Sequence, residues 1–159
     1  MLNLTYLFCV YSVLGWIVEV VFFYLKTGKF HSRGILNGTY CPLYGFSLAV
    51  CTILTYNTIN KFIFSFFICA FICTSFELIT GIIFDKFLNH KMWEYKEQKI
   101  NFGGYICLAF AVIWGIIATL CIKYLNPFLL SVNESTKAAL TIALIAFMIA
   151  DIFSFVKTH

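Results

Sequence analysis

Residues 62–84, FIFSFFICAFICTSFELITGIIF, decide the class of fold. This stretch has 23 residues and one charged side chain, that of Glu77. A helix of this length spans about 34 Å, enough to cross the hydrocarbon core of a bilayer, which is about 30 Å thick. An apolar run this long exceeds what a strand of a small soluble domain needs. The stretch therefore predicts a transmembrane helix.

Four further apolar runs make the chain polytopic. The predicted spans are residues 2–25, 42–59, 62–84, 106–124 and 138–156. The second is the least complete, because residues 42–56 give only about 22 Å of helix and residues 57–60 are needed to extend it. Asn126-Pro127 is expected to end the fourth span, since proline lacks the N–H that continues a helix. We predict an all-α membrane protein with one transmembrane domain over residues 1–159, built from two similarly oriented helical hairpins and a C-terminal helix.

The composition excludes an ordinary soluble domain. Of 159 residues, 62% are hydrophobic and only 11% are charged, against roughly 25% charged in an average soluble protein. The net charge of +4 comes from lysines in short loops rather than from a basic patch, so nucleic acid is not an expected partner. The seven cysteines form no CxxC motif and no zinc-type Cys/His spacing, so no metal and no cofactor are expected.

The basic residues predict the orientation in the membrane. With five spans, eight of the eleven basic residues fall on one side. They are Lys26, Lys29, Arg33, Lys86, Lys91, Lys96, Lys99 and Lys157. The positive-inside rule then places the N-terminus outside and the C-terminus in the cytoplasm. This parity fails if the short second run does not cross.

Three carboxylates lie inside the predicted spans: Glu19, Glu77 and Asp151. Each is five to seven residues from the cytoplasmic end of its run, so all three are expected at similar depth in the inner half of the membrane. A charged carboxylate at the bilayer centre costs about 2.5–3.5 kcal/mol on insertion scales, so none of them is expected to face lipid without a partner.

Either a basic partner enters or one of the carboxyls keeps its proton, and Arg33 is the candidate cationic partner. It is the only arginine in the chain and lies in a short loop before the second span. A guanidinium binds a carboxylate or a phosphate through two parallel hydrogen bonds, which lysine cannot do. Two interpretations stay open: a structural ion pair that docks the loop, and a site for a solute, an ion or a proton.

A weak internal repeat follows two of these acids. Glu19 precedes the loop Asn37-Gly38-Thr39-Tyr40-Cys41-Pro42-Leu43, and Glu77 precedes Asn101-Phe102-Gly103-Gly104-Tyr105-Ile106-Cys107-Leu108. In each, Asn, Gly, Tyr and Cys lead into the next span. Repeated halves of this kind are common in transporters, which place their sites where the repeats meet. Trp93 and Tyr95 fit an aromatic anchor at the headgroups, whereas Trp16 falls deeper and is expected to pack in the bundle.

The chain resembles a family of bacterial membrane proteins described as Putative ABC-transporter type IV, or Putative ABC transporter permeases. The resemblance runs from Tyr11 to about Gly115. It is carried by Gly15-Trp16 with Glu19, Arg33-Gly34, Leu36, Gly38, Cys41-Pro42-Leu43-Tyr44-Gly45, Glu77 with Thr80-Gly81, Trp93 with Tyr95, Asn101, Gly104, Ile106-Cys107-Leu108 and Trp114-Gly115. This resemblance implies a permease in the bacterial cytoplasmic membrane. The sequence has no nucleotide-binding motif, so energy coupling would need a separate ATPase chain.

The leading hypothesis is a transporter subunit with a carboxylate and arginine site in the inner leaflet. The candidate substrate-binding residues are Glu19, Arg33, Glu77, Asp151, Trp16, Cys41, Tyr44, Trp93, Tyr95 and Asn101. Expected partners are the lipid bilayer and either further copies of the chain or another membrane subunit. A noncatalytic accessory or scaffold protein is the first alternative, and a membrane-embedded enzyme acting on lipid or peptide is the second, although no catalytic motif supports it.

Overall fold

The helices follow the apolar runs closely. The computed structural model describes residues 2–28, 38–55, 58, 60–89 and 91–158. The helices are α1 (Leu2–Thr27), α2 (Pro42–Thr55), α3 (Phe62–Leu88), α4 (Leu108–Leu120), α5 (Asn126–Leu130) and α6 (Glu134–Thr158). A π-helical turn, Cys121–Leu125, joins α4 to α5. Two short strands, β1 (Asn101–Phe102) and β2 (Ile106–Cys107), pair antiparallel before α4.

Among the residues that the structure describes, four helical segments are long and apolar enough to cross a membrane. They are Asn3–Leu25, Phe62–Phe87, Leu108–Leu130 and Glu134–Phe153. α2 is also apolar but has only 14 residues, or about 21 Å of helix. Large apolar side chains remain exposed along these helices, as Phe71 does at 72%, which is typical of a helix whose outer face meets lipid. The prediction of an all-α fold is confirmed, with the β1–β2 hairpin as a small addition.

Two predicted boundaries are wrong. Ile106 and Cys107 form β2 rather than the start of a helix, and α4 begins at Leu108. Asn126-Pro127 does not end the helix, which continues to Leu130. The reason is the π turn: the N–H of Asn126 donates to the carbonyl of Cys121, five residues back, so the chain has changed its hydrogen-bond spacing before the proline arrives.

The chain divides into two compact units, Met1–Phe46 with Leu129–His159, and Ser47–Phe128. In the first unit, hereafter unit 1, α1 packs against α6. Lys137, near the start of α6, is only 2% exposed and donates to Asn3 Oδ1 at 2.9 Å, Glu134 Oε1 at 2.6 Å and the Leu130 carbonyl at 3.3 Å. The hydrogen bonds of Lys137 thus connect the start of α1 to the start of α6.

In the second unit, hereafter unit 2, α3 and α4 form an antiparallel pair. Gly115 on α4 faces Ala70 on α3, and Lys123 lies 5.9 Å from the ring centroid of Phe62. Higher numbers on one helix therefore match lower numbers on the other. Extending this register places Glu77 level with the first turn of α4. The glycine at 115 lets the two backbones approach closely.

Buried thiols fill the centre of unit 2. Cys51 and Cys69 are fully buried, and the Cys51 thiol is in hydrogen-bonding contact with those of Cys69 and Cys73. Thr119 contacts Cys69, which brings α4 into the same cluster. These cysteines are free thiols and pack as small apolar side chains.

Candidate functional site

In unit 1, Glu19 is bound by a tyrosine from the next helix. Tyr44, in the first turn of α2, donates its hydroxyl to Oε1 of Glu19. The ring of Tyr44 lies against Gly15, one turn before Glu19 on α1, where any Cβ would overlap it. Gly15, four residues before Glu19, therefore leaves the space in which the Tyr44 ring packs against α1 and its hydroxyl reaches the carboxylate.

The segment before α2 binds the third intramembrane acid, Asp151 on α6. Oδ2 of Asp151 accepts the Gly38 N–H at 3.0 Å and the Tyr40 hydroxyl at 3.2 Å. Tyr40 is 3% exposed. Burial first, and then the charge and hydrogen bond of Asp151, raise the pKa of Tyr40 to about 12. The hydroxyl consequently keeps its proton and remains a donor to Asp151 at all physiological pH values.

Unit 2 contains a matching arrangement of glycine, tyrosine and carboxylate, formed by Gly81, Tyr105 and Asp85. Tyr105 donates its hydroxyl to Oδ2 of Asp85 at 2.6 Å, and its ring lies 3.2 Å from where a Cβ on Gly81 would stand. This hydrogen bond raises the pKa of Tyr105 above the usual value. Gly81 is four residues before Asp85, as Gly15 is before Glu19. By geometry, the counterpart of Glu19 is therefore Asp85, whereas the sequence repeat pairs Glu19 with Glu77.

Glu77 is the most buried of the span carboxylates whose exposure is described. It is 6% exposed, and Tyr95 donates its hydroxyl to Oε1 at 2.8 Å. The Tyr95 ring stacks on Phe110 of α4, with centroids 4.8 Å apart and planes 28° from parallel. The register of α3 and α4 places Glu77 level with the start of α4, where the helix dipole presents its positive end.

The loop between α3 and α4 is ordered by its own polar groups. Asn101 accepts the Gly104 N–H at 3.1 Å and donates to the Gln98 carbonyl at 2.7 Å. The indole N–H of Trp93 donates to the Tyr105 carbonyl at 2.8 Å. Gly104 has a φ of 77°, which side-chain-bearing residues rarely adopt. Asn101 thus shapes the turn that presents Tyr105 to Asp85.

A charged cluster covers the outside of this loop. Glu94 forms ion pairs with Lys96 at 2.9 Å and Lys91 at 3.3 Å. Hydrogen bonds from these two lysines lower the pKa of Glu94 below its usual value. All three side chains are well exposed, so each pair contributes little to stability.

Cys41 lies beside Glu19 without being activated. Burial, followed by the charge of Glu19, raises the pKa of the Cys41 thiol to about 11, which leaves it protonated near neutral pH. The structure therefore gives no support to a reactive thiolate at this helix start. No group of three metal-binding side chains occurs among the residues the structure describes.

The predicted site residues separate into two groups. Unit 1 holds Trp16, Glu19, Cys41, Tyr44 and Asp151, and unit 2 holds Glu77, Trp93, Tyr95 and Asn101. Trp16 is half-buried on α1, and Arg33 lies outside the described residues. The sequence reasoning missed Tyr40, Asp85 and Tyr105 as site residues. Its own repeat held a signal for two of them, since Tyr40 and Tyr105 each follow the Asn and Gly of the repeat and precede its Cys.

The family model described as Putative ABC-transporter type IV matches residues 6–156, which include every carboxylate and tyrosine above. The chain belongs to this family. Membership in the Putative ABC-transporter type IV family confirms the resemblance noted in the sequence and, with the four long apolar helices, identifies a membrane protein related to transport. The chain matches no curated protein and no solved structure.

Proposed function

We propose that this chain is the membrane-embedded subunit of a transporter and that its tyrosine-bound carboxylates bind the transported solute. Glu77 carries the proposal. A carboxylate that is 6% exposed on a helix of span length is expensive to retain, and such residues mark solute and ion pathways in membrane proteins. The Tyr95 hydroxyl is a donor that an incoming solute can replace.

The proposed layout follows the distribution of charge. α2 crosses as the short member of five spans, with the N-terminus outside and the C-terminus in the bacterial cytoplasm, so that most lysines face inward. The carboxylates then lie in the inner half of the membrane. Arg33, in the connection that leads to Tyr40, supplies a guanidinium for a carboxylate of the protein or of the solute.

The energy source and the pathway call for partners. The sequence contains no nucleotide-binding motif, so a separate ATPase chain would drive transport. A chain of this size encloses a pathway by pairing with further copies of itself or with a second membrane subunit. The lipid bilayer surrounds the assembly.

The test compares Glu77→Gln, Glu77→Asp and the control Glu97→Gln, an exposed loop residue, in ATP-supplied membrane vesicles of the native host, which retain any partner subunit and ATPase chain. Uptake of a panel of labelled solutes is measured in these vesicles, and the unfolding temperature is measured on each purified variant. We expect uptake to vanish in Glu77→Gln and to be reduced in Glu77→Asp, with the control unchanged and all three folded. Uptake that survives in Glu77→Gln, or is absent from the wild type with every solute, contradicts the proposal.

A noncatalytic accessory protein is the second candidate, and the β1–β2 hairpin favours it. Ile100 and Phe102 are 64% and 67% exposed on this loop, next to the lysine-rich cluster. An apolar pair rimmed by charges is typical of a protein interface. In this case Phe102→Ser would release a co-purified partner, whereas Glu77→Gln would leave the function of the assembly unchanged.

A further inference from the structure

We propose that Glu77 and the aromatic row beside it bind an organic ammonium cation. The row consists of Trp93, Tyr95, Phe110 and Trp114. This inference rests on the proposed function, because it assigns the solute class of the same carboxylate. All of these residues belong to unit 2.

The first step is the charge of the site. Glu77 is 6% exposed and lies level with the start of α4, where the helix dipole presents its positive end. A buried anion attracts a cation strongly, because little water is present to screen the interaction. A carboxylate repels an anionic solute and offers a neutral solute only a hydrogen bond.

The aromatic row runs from Tyr95 through Phe110 to Trp114. The ring of Tyr95, whose hydroxyl reaches Glu77, stacks on Phe110 at 4.8 Å, and Phe110 meets Trp114 at 6.3 Å. All three rings are half-buried, so each retains some exposed surface. The negative face of an aromatic ring attracts a cation, and rows of such rings next to a carboxylate recognise alkylammonium groups.

Trp93 adds a fourth ring, which packs against α3 at Gly81. Its indole N–H is already engaged by the Tyr105 carbonyl, which fixes the orientation of the ring. Its Cζ2 lies 3.5 Å from the position of a Cβ on Gly81, one turn beyond Glu77. The Trp93 ring therefore lies against α3 one helical turn along from Glu77.

An inorganic divalent cation fits this site poorly. Calcium takes six to eight oxygen ligands, and magnesium requires an octahedral set. The described part of the chain holds no group of three metal-binding side chains, at Glu77 or elsewhere. One carboxylate with aromatic walls suits a large, weakly hydrated cation instead.

The experiment measures equilibrium binding of choline and of 3,3-dimethyl-1-butanol, which has nearly the same shape without the charge, to the purified full chain in detergent. The variants are Glu77→Gln and Phe110→Leu, with Phe128→Leu as the matched control because Phe128 is 69% exposed outside the row. The unfolding temperature of each variant verifies that it is folded.

We expect the wild type to bind choline at least about 10-fold more tightly than the neutral alcohol. Phe110→Leu weakens choline binding by about 3- to 30-fold, the range of a desolvated cation–π contact, while Phe128→Leu does not change it. Glu77→Gln removes the preference for choline over the alcohol. If Glu77→Gln does not fold, the Phe110→Leu and Phe128→Leu pair still tests the site.

Equal binding of the two probes, no binding of choline, or full affinity in Phe110→Leu overturns the inference. Parallel uptake measurements separate it from the proposed function. If the uptake of another solute depends on Glu77 but choline does not bind, the proposed transport function stands and the ammonium site is excluded. If choline binding depends on Glu77 but no solute is taken up, the ammonium site stands and the proposed transport function is excluded.

Discussion

Gly115→Ala is expected to destabilise unit 2 by about 1–3 kcal/mol, the usual cost of overpacking. The added Cβ would stand 2.7 Å from Ala70 Cβ, 2.9 Å from Phe66 Cε2 and 3.2 Å from Ala70 Cα. Carbon atoms in contact prefer separations of about 3.5–4.0 Å. Ala70 Cα is backbone and cannot rotate away, so α3 and α4 must separate.

The expected fall in unfolding temperature is about 2–12 °C for a chain of this length. A thiol-reactive fluorophore reports unfolding in detergent, because the fully buried Cys69 next to Ala70 becomes accessible only when the helices part. Gly81→Ala is the comparison: its Cβ would meet Tyr105 at 3.2 Å, a side chain that is able to shift, so its effect should be smaller.

Ala70→Gly in the Gly115→Ala background supplies the decisive measurement. Removing the Ala70 methyl takes away the shortest of the three contacts, so the double variant should recover a substantial part of the loss. Ala70→Gly alone should cost about 0.5–1 kcal/mol through helix propensity. Strict additivity of the two changes, or a Gly115→Ala protein as stable as the wild type, would refute the antiparallel register.

Three further predictions concern unit 1. Lys137→Met should lower the free energy of unfolding by about 1–3 kcal/mol, because it removes three hydrogen bonds made by a side chain that is only 2% exposed. Cys41 should alkylate slowly at pH 8, where a pKa of about 11 leaves about one thiol in a thousand ionised, and Glu19→Gln should speed the reaction by removing the neighbouring charge. Tyr40 should ionise near pH 12 in tyrosinate absorbance. Because this folded-state pKa exceeds the ordinary value of about 10, its stabilisation is complete below pH 10 and is lost as the pH rises toward 12, and Tyr40→Phe should flatten that loss.

Each of these three predictions would be contradicted by a specific result. An unchanged unfolding temperature in Lys137→Met would mean that the three hydrogen bonds contribute nothing. Alkylation of Cys41 as fast as that of a free thiol would place it in water. A Tyr40→Phe protein with the same alkaline absorbance change and the same pH profile would mean that another group titrates there.

Hydropathy predicts the helices because the membrane imposes one simple requirement on them. The run 62–84 needed only its length and its single charge to be identified as a span. The error at Pro127 has a local cause: the π turn before it changes the hydrogen-bond spacing, and no composition rule signals such a turn. The short strands before α4 depend on the turn built by Asn101, which hydropathy does not see.

The site was harder to predict because its contacts are far apart in sequence. The burial cost of a carboxylate pointed to Glu19, Glu77 and Asp151 directly. Their tyrosine partners could not be predicted in this way, because Tyr40, which donates to Asp151, is 111 residues from it in the sequence. Asp85 escaped notice because it lies just beyond the apolar run, where a charged residue calls for no explanation.

The π turn between α4 and α5 also determines where this helix tolerates a change of length. A π turn holds about one residue more than an α turn, so a single deletion within Cys121–Leu125 restores ordinary helix and leaves Asn126 facing Thr52, to which it donates at 3.0 Å. A deletion elsewhere in α4 rotates α5 by about 100° relative to the residues before it. In an alignment of related chains, a one-residue gap in this helix is therefore expected at residues 121–125.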